Sequence, residues 1–354
     1  MIPTTLGEIV RAARERLTAA GIDAGEAALD ASLLARHALG WDMARLIAHE
    51  TEAPPGGFSR TFDALIARRA AREPISSIVG RREFRGLEFE VGPDVLAPRP
   101  ETEIVVEEAI AALRSAAPEG DGLHTNLGLR TNLGLRTNPG LRTNPGLRTN
   151  PGLHTNPGLH TNPGLDGTGC RAWSSDPPDP AADRPLIVDV GTGSGCLAVC
   201  LAVEFPDARV VATDVSEAAL AVAARNVRRH GVAGRVDLVR ASLLDAVPGP
   251  AALVVSNPPY IPAADIPGLD PEVRDWEPRQ ALDGGPDGLG VIRALLAAVP
   301  PVLAPGGWFI MEFGFGQAEA VERLVRASPL ELVRIVKDLQ RIPRTVVARR
   351  AISR

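Results

Sequence analysis

The chain has 354 residues, 45% of them apolar and 23% charged, with a net charge of −5. That is enough length for two domains and a sizeable core. No apolar stretch is long enough to span a bilayer, and the N-terminus lacks the basic, apolar, small-residue order of a secretory signal, so the expectation is a cytoplasmic protein with no membrane partner. The balance is acidic on average, which argues against a sequence-independent nucleic-acid binder with a basic surface.

The first 75 residues read as helical. Thr5 with Glu8 has the capping-box pattern, and a helix is expected to run to Gly21. Asp23 with Glu26 marks a second start, with Leu29, Leu33 and Leu34 as its apolar face and Gly40 as its end. Asp42 caps a short third helix through His49. Phe58, Phe62, Leu65 and Ile66 mark a fourth, which Pro74 stops. Four short amphipathic helices make a small bundle, and a bundle alone implies no chemistry. His37 and His49 have no partner set and read as packing or solvent-facing residues.

Residues 78–97 alternate in the manner of strands, from Ile78 through Phe84 to Leu87–Val91, with Arg85-Gly86 as a hairpin turn. Pro98-Arg99-Pro100-Glu101-Thr102-Glu103 opens a helix over Ile104–Ala116, since Pro suits the first position and acids suit the first turn. Residues 122–165 repeat with period six, as Gly-Leu-(Arg/His)-Thr-Asn-(Pro/Leu). One Leu per repeat buries too little surface to offset ordering entropy, and Asn-Pro-Gly favours turns. A disordered or turn-rich insertion without catalytic role is expected, and His124, His154 and His160 are repeat residues rather than metal ligands. Cys170, Cys196 and Cys200 are an odd set without C-x-x-C, so no metal site is expected.

From Leu186 strand and helix alternate. Strands are expected at 186–190, 209–213, 236–239, 252–256, 308–313, 332–336 and 345–349. Helices are expected from the glycine loop to Phe205, over 217–230, near 288–303 and over 318–327. Repeated β-α units imply a parallel sheet with helices on both faces. Arg334, Lys337, Arg341, Arg344, Arg349, Arg350 and Arg354 crowd the end of the chain. They read as a solvated strand rim, with contact to RNA as the sharper alternative.

Two stretches carry chemistry. Asp189-Val190-Gly191-Thr192-Gly193-Ser194-Gly195 joins the first of these strands to its helix. Its G-x-G-x-G spacing is neither the dinucleotide nor the phosphate-loop pattern, and no lysine follows to hold a terminal phosphate. Asp214 ends the next strand, where an acid can accept both ribose hydroxyls. The pair fits an adenosine-containing cofactor, with NAD left open by the loop alone. Asn257-Pro258-Pro259-Tyr260 follows the run Ala251–Ser256 at the carboxyl end of a strand, where open α/β sheets bind ligands. Two prolines stiffen the turn and withhold donors, leaving a row of carbonyl acceptors beside a side-chain amide and an aromatic face. Such a set holds a planar NH2 group; alone, it reads equally well as a proline-rich turn.

Taken together, D-V-G-T-G-S-G, Asp214 and N-P-P-Y resemble a class I S-adenosylmethionine-dependent amino-methyltransferase. With P-R-P-E-T-E at 98–103 and E-P-R-Q-A-L-D-G-G-P-D-G-L at 277–289, the chain is similar to the peptide chain release factor glutamine methyltransferase family. The resemblance implies an α/β fold: a Rossmann-like sheet with helices on both faces, a small N-terminal helical bundle and a connecting β-hairpin. It implies a helical substrate-recognition domain over 1–75, a hairpin connector over 76–97, entry to the methyltransferase domain over 98–117, the insertion over 118–185, and the methyltransferase domain over 186–354. It also implies S-adenosyl-L-methionine as cofactor and release factors as protein substrate. Gly191, Thr192, Gly193, Ser194, Gly195, Asp214, Ser242 and Asn257 would hold the cofactor. Asn257, Pro258, Pro259 and Tyr260 would hold the substrate glutamine, with Asn257, Pro258 and Tyr260 catalytic. The family often has an acid followed by an aromatic or apolar residue after the third strand, where this chain has Ala241-Ser242. The motif N-P-P-Y is shared with methyltransferases acting on adenine N6 or guanine N2, so a nucleic-acid base is the alternative acceptor. A non-catalytic binding protein is the third reading, and the intact glycine loop, Asp214 and N-P-P-Y argue against it.

Overall fold

The computed structural model describes residues 5–115 and 184–352. The hexapeptide repeat, its three histidines and Cys170 lie outside the described residues.

The chain opens with helices α1 (Leu6–Ala19), α2 (Ala24–Leu39), α3 (Met43–Ala48) and α4 (Phe58–Ala70). The expected caps are in place: Thr5 and Glu8 close a full capping box, and Asp23 and Asp42 each accept backbone N–H bonds at their helix starts. Of the expected apolar face of α2, Leu34 is buried as expected, but the two other leucines are not. Leu29 is 70% exposed and Leu33 37%, while Ala27, Asp30, Ala31, Leu34 and Ala35 face the bundle. The inward stripe is made of small apolar residues with Leu34, and it also carries Asp30, whose Oδ2 accepts from Arg69 Nε on α4 over 2.6 Å. The fourth helix stops at Ala70, ahead of Pro74, with Arg72 at positive φ, and Pro74 instead starts a fifth, α5 (Ile75–Val79). Ile78 is therefore a helical core residue of the bundle rather than a strand residue. Strands β1 (Arg81–Phe84) and β2 (Leu87–Glu90) form the expected hairpin, with Arg85 and Gly86 both at positive φ as a two-residue turn demands.

A short 3-10 turn (Pro100–Thr102) leads into α6 (Glu103–Ser115). The sheet then follows: β3 (Leu186–Val190), α7 (Cys196–Glu204), β4 (Arg209–Asp214), α8 (Glu217–Arg229), β5 (Val236–Arg240) and β6 (Ala251–Ser256). Two four-residue helices, α9 (Pro271–Arg274) and α10 (Arg279–Leu282), interrupt the long loop before α11 (Gly290–Val302). The chain closes with β7 (Leu303–Glu312), α12 (Ala318–Arg326), β8 (Leu330–Lys337) and β9 (Pro343–Arg350). The strand order is β5-β4-β3-β6-β7-β9-β8. The first five are parallel, as the β-α alternation requires, but β9 runs antiparallel to both β7 and β8. The reversal follows from β8 and β9 being joined by a tight turn at Asp338–Ile342 instead of a helical crossover.

Period-two alternation sends successive strand residues to opposite faces. Ile187, Leu253, Val255 and Ile310 pack under α6, α7 and α8. Val188, Val254, Phe309 and Met311 pack under α11 and α12. Asn226 on α8 ties the hairpin to the sheet: its Oδ1 accepts from the Glu90 N–H, and its Nδ2 donates to the Glu90 and Ser194 carbonyls.

An ionic knot joins the bundle to the loop after N-P-P-Y. The fully buried Arg69 donates to Asp30, Glu26 and Glu272, and Arg72 donates to the second oxygen of Glu272. Arg99 extends the connection, its Nη2 lying 2.6 and 2.7 Å from the two oxygens of Glu277.

Candidate active site

β4 and β6 flank β3 on opposite sides, so the crossovers diverge at the carboxyl end of β3. Open α/β sheets leave a crevice at such a switch point. Here it is a cavity of about 480 Å³, lined by the glycine loop, Asp214, Ser242, Asn257 and the segment Asp94–Arg99. That size suits a small-molecule ligand.

The glycine loop is pinned from below. Gly191 and Thr192 both donate their N–H groups to the Thr213 carbonyl, each over 2.9 Å. Asp214 grips the loop through Oδ2, which accepts from Gly193 N–H at 2.9 Å, while Oδ1 accepts from Ser216 N–H. Each carboxylate oxygen keeps a further lone pair for a ligand hydroxyl. Gly191 and Gly193 line the cavity at positive φ, and a Cβ on either would meet nothing within 4 Å. Gly195 serves packing instead. It does not line the cavity, and a Cβ there would press on Ala223 of α8 at 3.2 Å. Beneath the loop, Asp189 accepts from Thr192 Oγ1 and Ala198 N–H, and complete burial pushes its carboxyl up to about 7.

Asn257-Pro258-Pro259-Tyr260 leaves the end of β6, which is locked to β3 by a 2.8 Å bond from Ser256 Oγ to the Val190 carbonyl. Asn257, Pro258 and Pro259 line the cavity; Tyr260 stands behind them. The loop over 261–289 and Gln317, ahead of α12, brace the turn. Ile261 N–H donates to Leu282, Gly284 N–H donates back to Ile261, and Gln317 Nε2 donates to the Tyr260 carbonyl at 2.9 Å. This accounts for the glycines of D-G-G-P-D-G-L: a Cβ on Gly288 would collide with the Tyr260 carbonyl oxygen.

Behind the turn lies a closed polar chain. Asn257 Nδ2 donates to Thr102 Oγ1 at 3.0 Å, Thr102 Oγ1 donates to Glu312 Oε2 at 2.6 Å, and Tyr260 Oη donates to Glu312 Oε1 at 3.2 Å. Thr102 and Glu312 are fully buried. Burial raises the Glu312 carboxyl to about 7 against the bonds from Thr102 and Tyr260. Burial and the neighbouring Glu312 push the Tyr260 hydroxyl well above the ordinary phenol range.

The structure thus brings the glycine loop, Asp214, Ser242 and Asn257–Pro259 around one cavity and sets Gly195 and Tyr260 just outside it. Sequence reasoning missed Glu312 and Gln317, although an acid ending a parallel strand was a usable signal, and it gave Thr102 no role within P-R-P-E-T-E. Arg334, Arg344 and Arg349 are paired with Glu108, Asp338 and Glu331, and Arg350 donates to the Leu303 carbonyl, so these four are engaged within the fold. Among the described residues no cluster of three His, Cys, Asp or Glu side chains is placed to hold a metal ion, and no helix is long and apolar enough to cross a membrane.

This sheet, with a glycine loop and a strand-end acid facing an N-P-P-Y turn, defines a methyltransferase. The PrmC N-terminal domain profile matches residues 8–80, and the methyltransferase small domain profile matches 152–266. A release factor glutamine methyltransferase of Cereibacter sphaeroides is 38% identical, over 97% of this chain and 97% of its own. Proteins of the same name from Rhodospirillum rubrum and Bradyrhizobium diazoefficiens are 34% and 35% identical, over 98% and 97% of this chain and 85% and 96% of theirs. The chain belongs to the release factor glutamine methyltransferase family.

Proposed function

We propose that this chain transfers a methyl group from S-adenosyl-L-methionine to the side-chain amide nitrogen of the glutamine in the Gly-Gly-Gln motif of peptide chain release factors. Residues 1–75 form the substrate-recognition part, 76–97 the connector, and 98–117 with 186–354 the methyltransferase domain.

The cofactor supplies an activated methyl on a sulfonium. The chain's residues fit it: Gly191 and Gly193 offer bare backbone to the cavity, Asp214 keeps lone pairs for ribose hydroxyls, and Ser242 lines the far side. An amide nitrogen is a weak nucleophile because its lone pair is delocalised into the carbonyl. What the protein must supply is therefore positioning. Asn257 Oδ1 and the Pro258 carbonyl accept the two N–H bonds of the glutamine amide. These acceptors favour the positive charge that grows on nitrogen during transfer. Tyr260 backs the turn from the far side, anchored by Glu312.

The observation that carries this reading is the state of the Asn257 amide. Its nitrogen is committed to Thr102, while its oxygen has no partner among the described residues. A free acceptor at the cavity wall suits an incoming NH2 group. The test is transfer of labelled methyl to purified release factor, with a Gly-Gly-Ala version alongside. Label on the first alone supports the reading; label on nucleic acid instead moves the acceptor to a base.

A further inference from the structure

We propose that Glu312 is a positioning residue: its carboxylate, acting through the Thr102 hydroxyl, holds the Asn257 amide with Oδ1 turned to the substrate. This rests on the reading above and adds to it the group that sets the direction of the acceptor.

Proton counting sets that direction. A threonine hydroxyl has a single hydrogen to give. An ionised Glu312 can only accept, so that hydrogen lies in the 2.6 Å contact between Thr102 Oγ1 and Glu312 Oε2. Thr102 then has only lone pairs left for Asn257, which must present Nδ2 at 3.0 Å. The acceptor oxygen is left facing the other way. No water is needed to close the chain, and both Thr102 and Glu312 are buried, so solvent cannot rescue a reversed arrangement cheaply.

A neutral Glu312 loses this authority. Its carboxylic acid can donate as well as accept, so Thr102 is free to turn its hydrogen on Asn257. The amide then flips and meets the substrate NH2 with its own NH2, donor against donor. The charged and titratable groups around Glu312 are Tyr260 from the turn, Glu101 from the 3-10 segment, Arg344 from β9 and Cys196 at the start of α7. Burial and Glu101 favour the neutral form, while Thr102, Tyr260 and Arg344 favour the ionised one, and the carboxyl rests at about 7. Turnover is lost as pH falls through that value, because the ionised form is the one that orients Asn257.

The experiment is kcat against pH, with the full chain, S-adenosyl-L-methionine and release factor. Wild type is expected to lose kcat about tenfold per pH unit on the acid side of neutrality. Glu312→Gln has no proton to lose, and Gln can donate or accept; its kcat at high pH is expected to fall about tenfold or more, with no acid limb. Thr102→Val breaks the chain with Glu312 intact and is expected to behave alike, while Thr102→Ser, which keeps the hydroxyl, recovers most of the lost kcat and the limb. KM for release factor and cofactor affinity stay within about twofold, because positioning acts on the transition state. Wild-type kcat in Glu312→Gln, or an unchanged acid limb in that variant or in Thr102→Val, overturns the proposal. If Glu312→Gln does not fold, the Thr102 pair decides. A wild type that leaves glutamine unlabelled removes the substrate reading and this inference with it; a labelling wild type with variants that share its profile removes this inference alone.

Discussion

Gly284 lies against the Cα of Tyr260: a Cβ on Gly284 would stand 2.8 Å from it and 2.7 Å from the Gly288 carbonyl oxygen. Both obstacles are backbone, which cannot swing aside as a side-chain tip can. Gly284→Ala therefore has to push the N-P-P-Y turn outward. Overpacking of this kind costs about 1–3 kcal/mol, so thermal unfolding should move down by several degrees. Turnover should drop by about tenfold or more, since misplacement of about 1 Å is expensive in a positioning site. Cofactor titration should be little changed, because the glycine loop is held separately by Thr213 and Asp214.

Asn257→Ala removes the acceptor and leaves the cavity otherwise intact. Turnover on release factor should fall by about 100-fold or more, on the scale seen when one preorganised polar partner is deleted. Binding of S-adenosyl-L-methionine by calorimetry should survive. Near-normal turnover in this variant would end the assignment of Asn257 as acceptor.

The ionic knot between bundle and loop should be visible in stability. Arg69→Met leaves Asp30, 8% exposed, without its guanidinium partner. Breaking a buried pair from one side costs about 3–5 kcal/mol. The double variant Arg69→Met with Asp30→Leu should recover much of that loss, since apolar packing often replaces a buried ion pair at little cost. Chemical denaturation of the two variants checks this, and a double variant no better than the single one would count against it.

Asp189 supplies a pH dependence of folding. Its carboxyl sits at about 7 in the fold, against 3.8 as its ordinary value, chiefly through burial. Between those values the folded chain binds a proton that the unfolded chain does not, so this contribution to stability is present at the acid end and lost as pH rises through about 7. Asp189→Asn abolishes it. Wild type should therefore lose more Tm than the variant between about pH 5.5 and 8, by about 2–4 °C for each kcal/mol involved. Parallel curves would show that Asp189 does not titrate in that range.

What could be read from the sequence was local. The capping box at Thr5, the Arg85-Gly86 turn, the glycine loop and N-P-P-Y are each written in a few adjacent residues, and each is where the pattern put it. What could not be read was set across distance. Glu312 meets Thr102 from 210 positions away, and no spacing rule reaches that far. Asp30 shares the buried face of α2 with Leu34 and three alanines, and its partner Arg69 lies 39 positions on, so neither its burial nor the exposure of Leu29 and Leu33 could be read locally. Gly195 looked like its neighbours in the loop, and only the packing of α7 on α8 separates its role from theirs.

α6 starts beside Thr102 at the cavity and ends where Arg114 meets Glu204, the last residue of α7, which itself begins at the glycine loop. Ser115 thus lies at the amino end of the sheet, and so does Leu186, the first residue of β3. Residues 116–183 are spliced in between those two points. The hexapeptide repeat therefore joins the described fold at two points on the side remote from the cavity, away from Asp214 and Asn257.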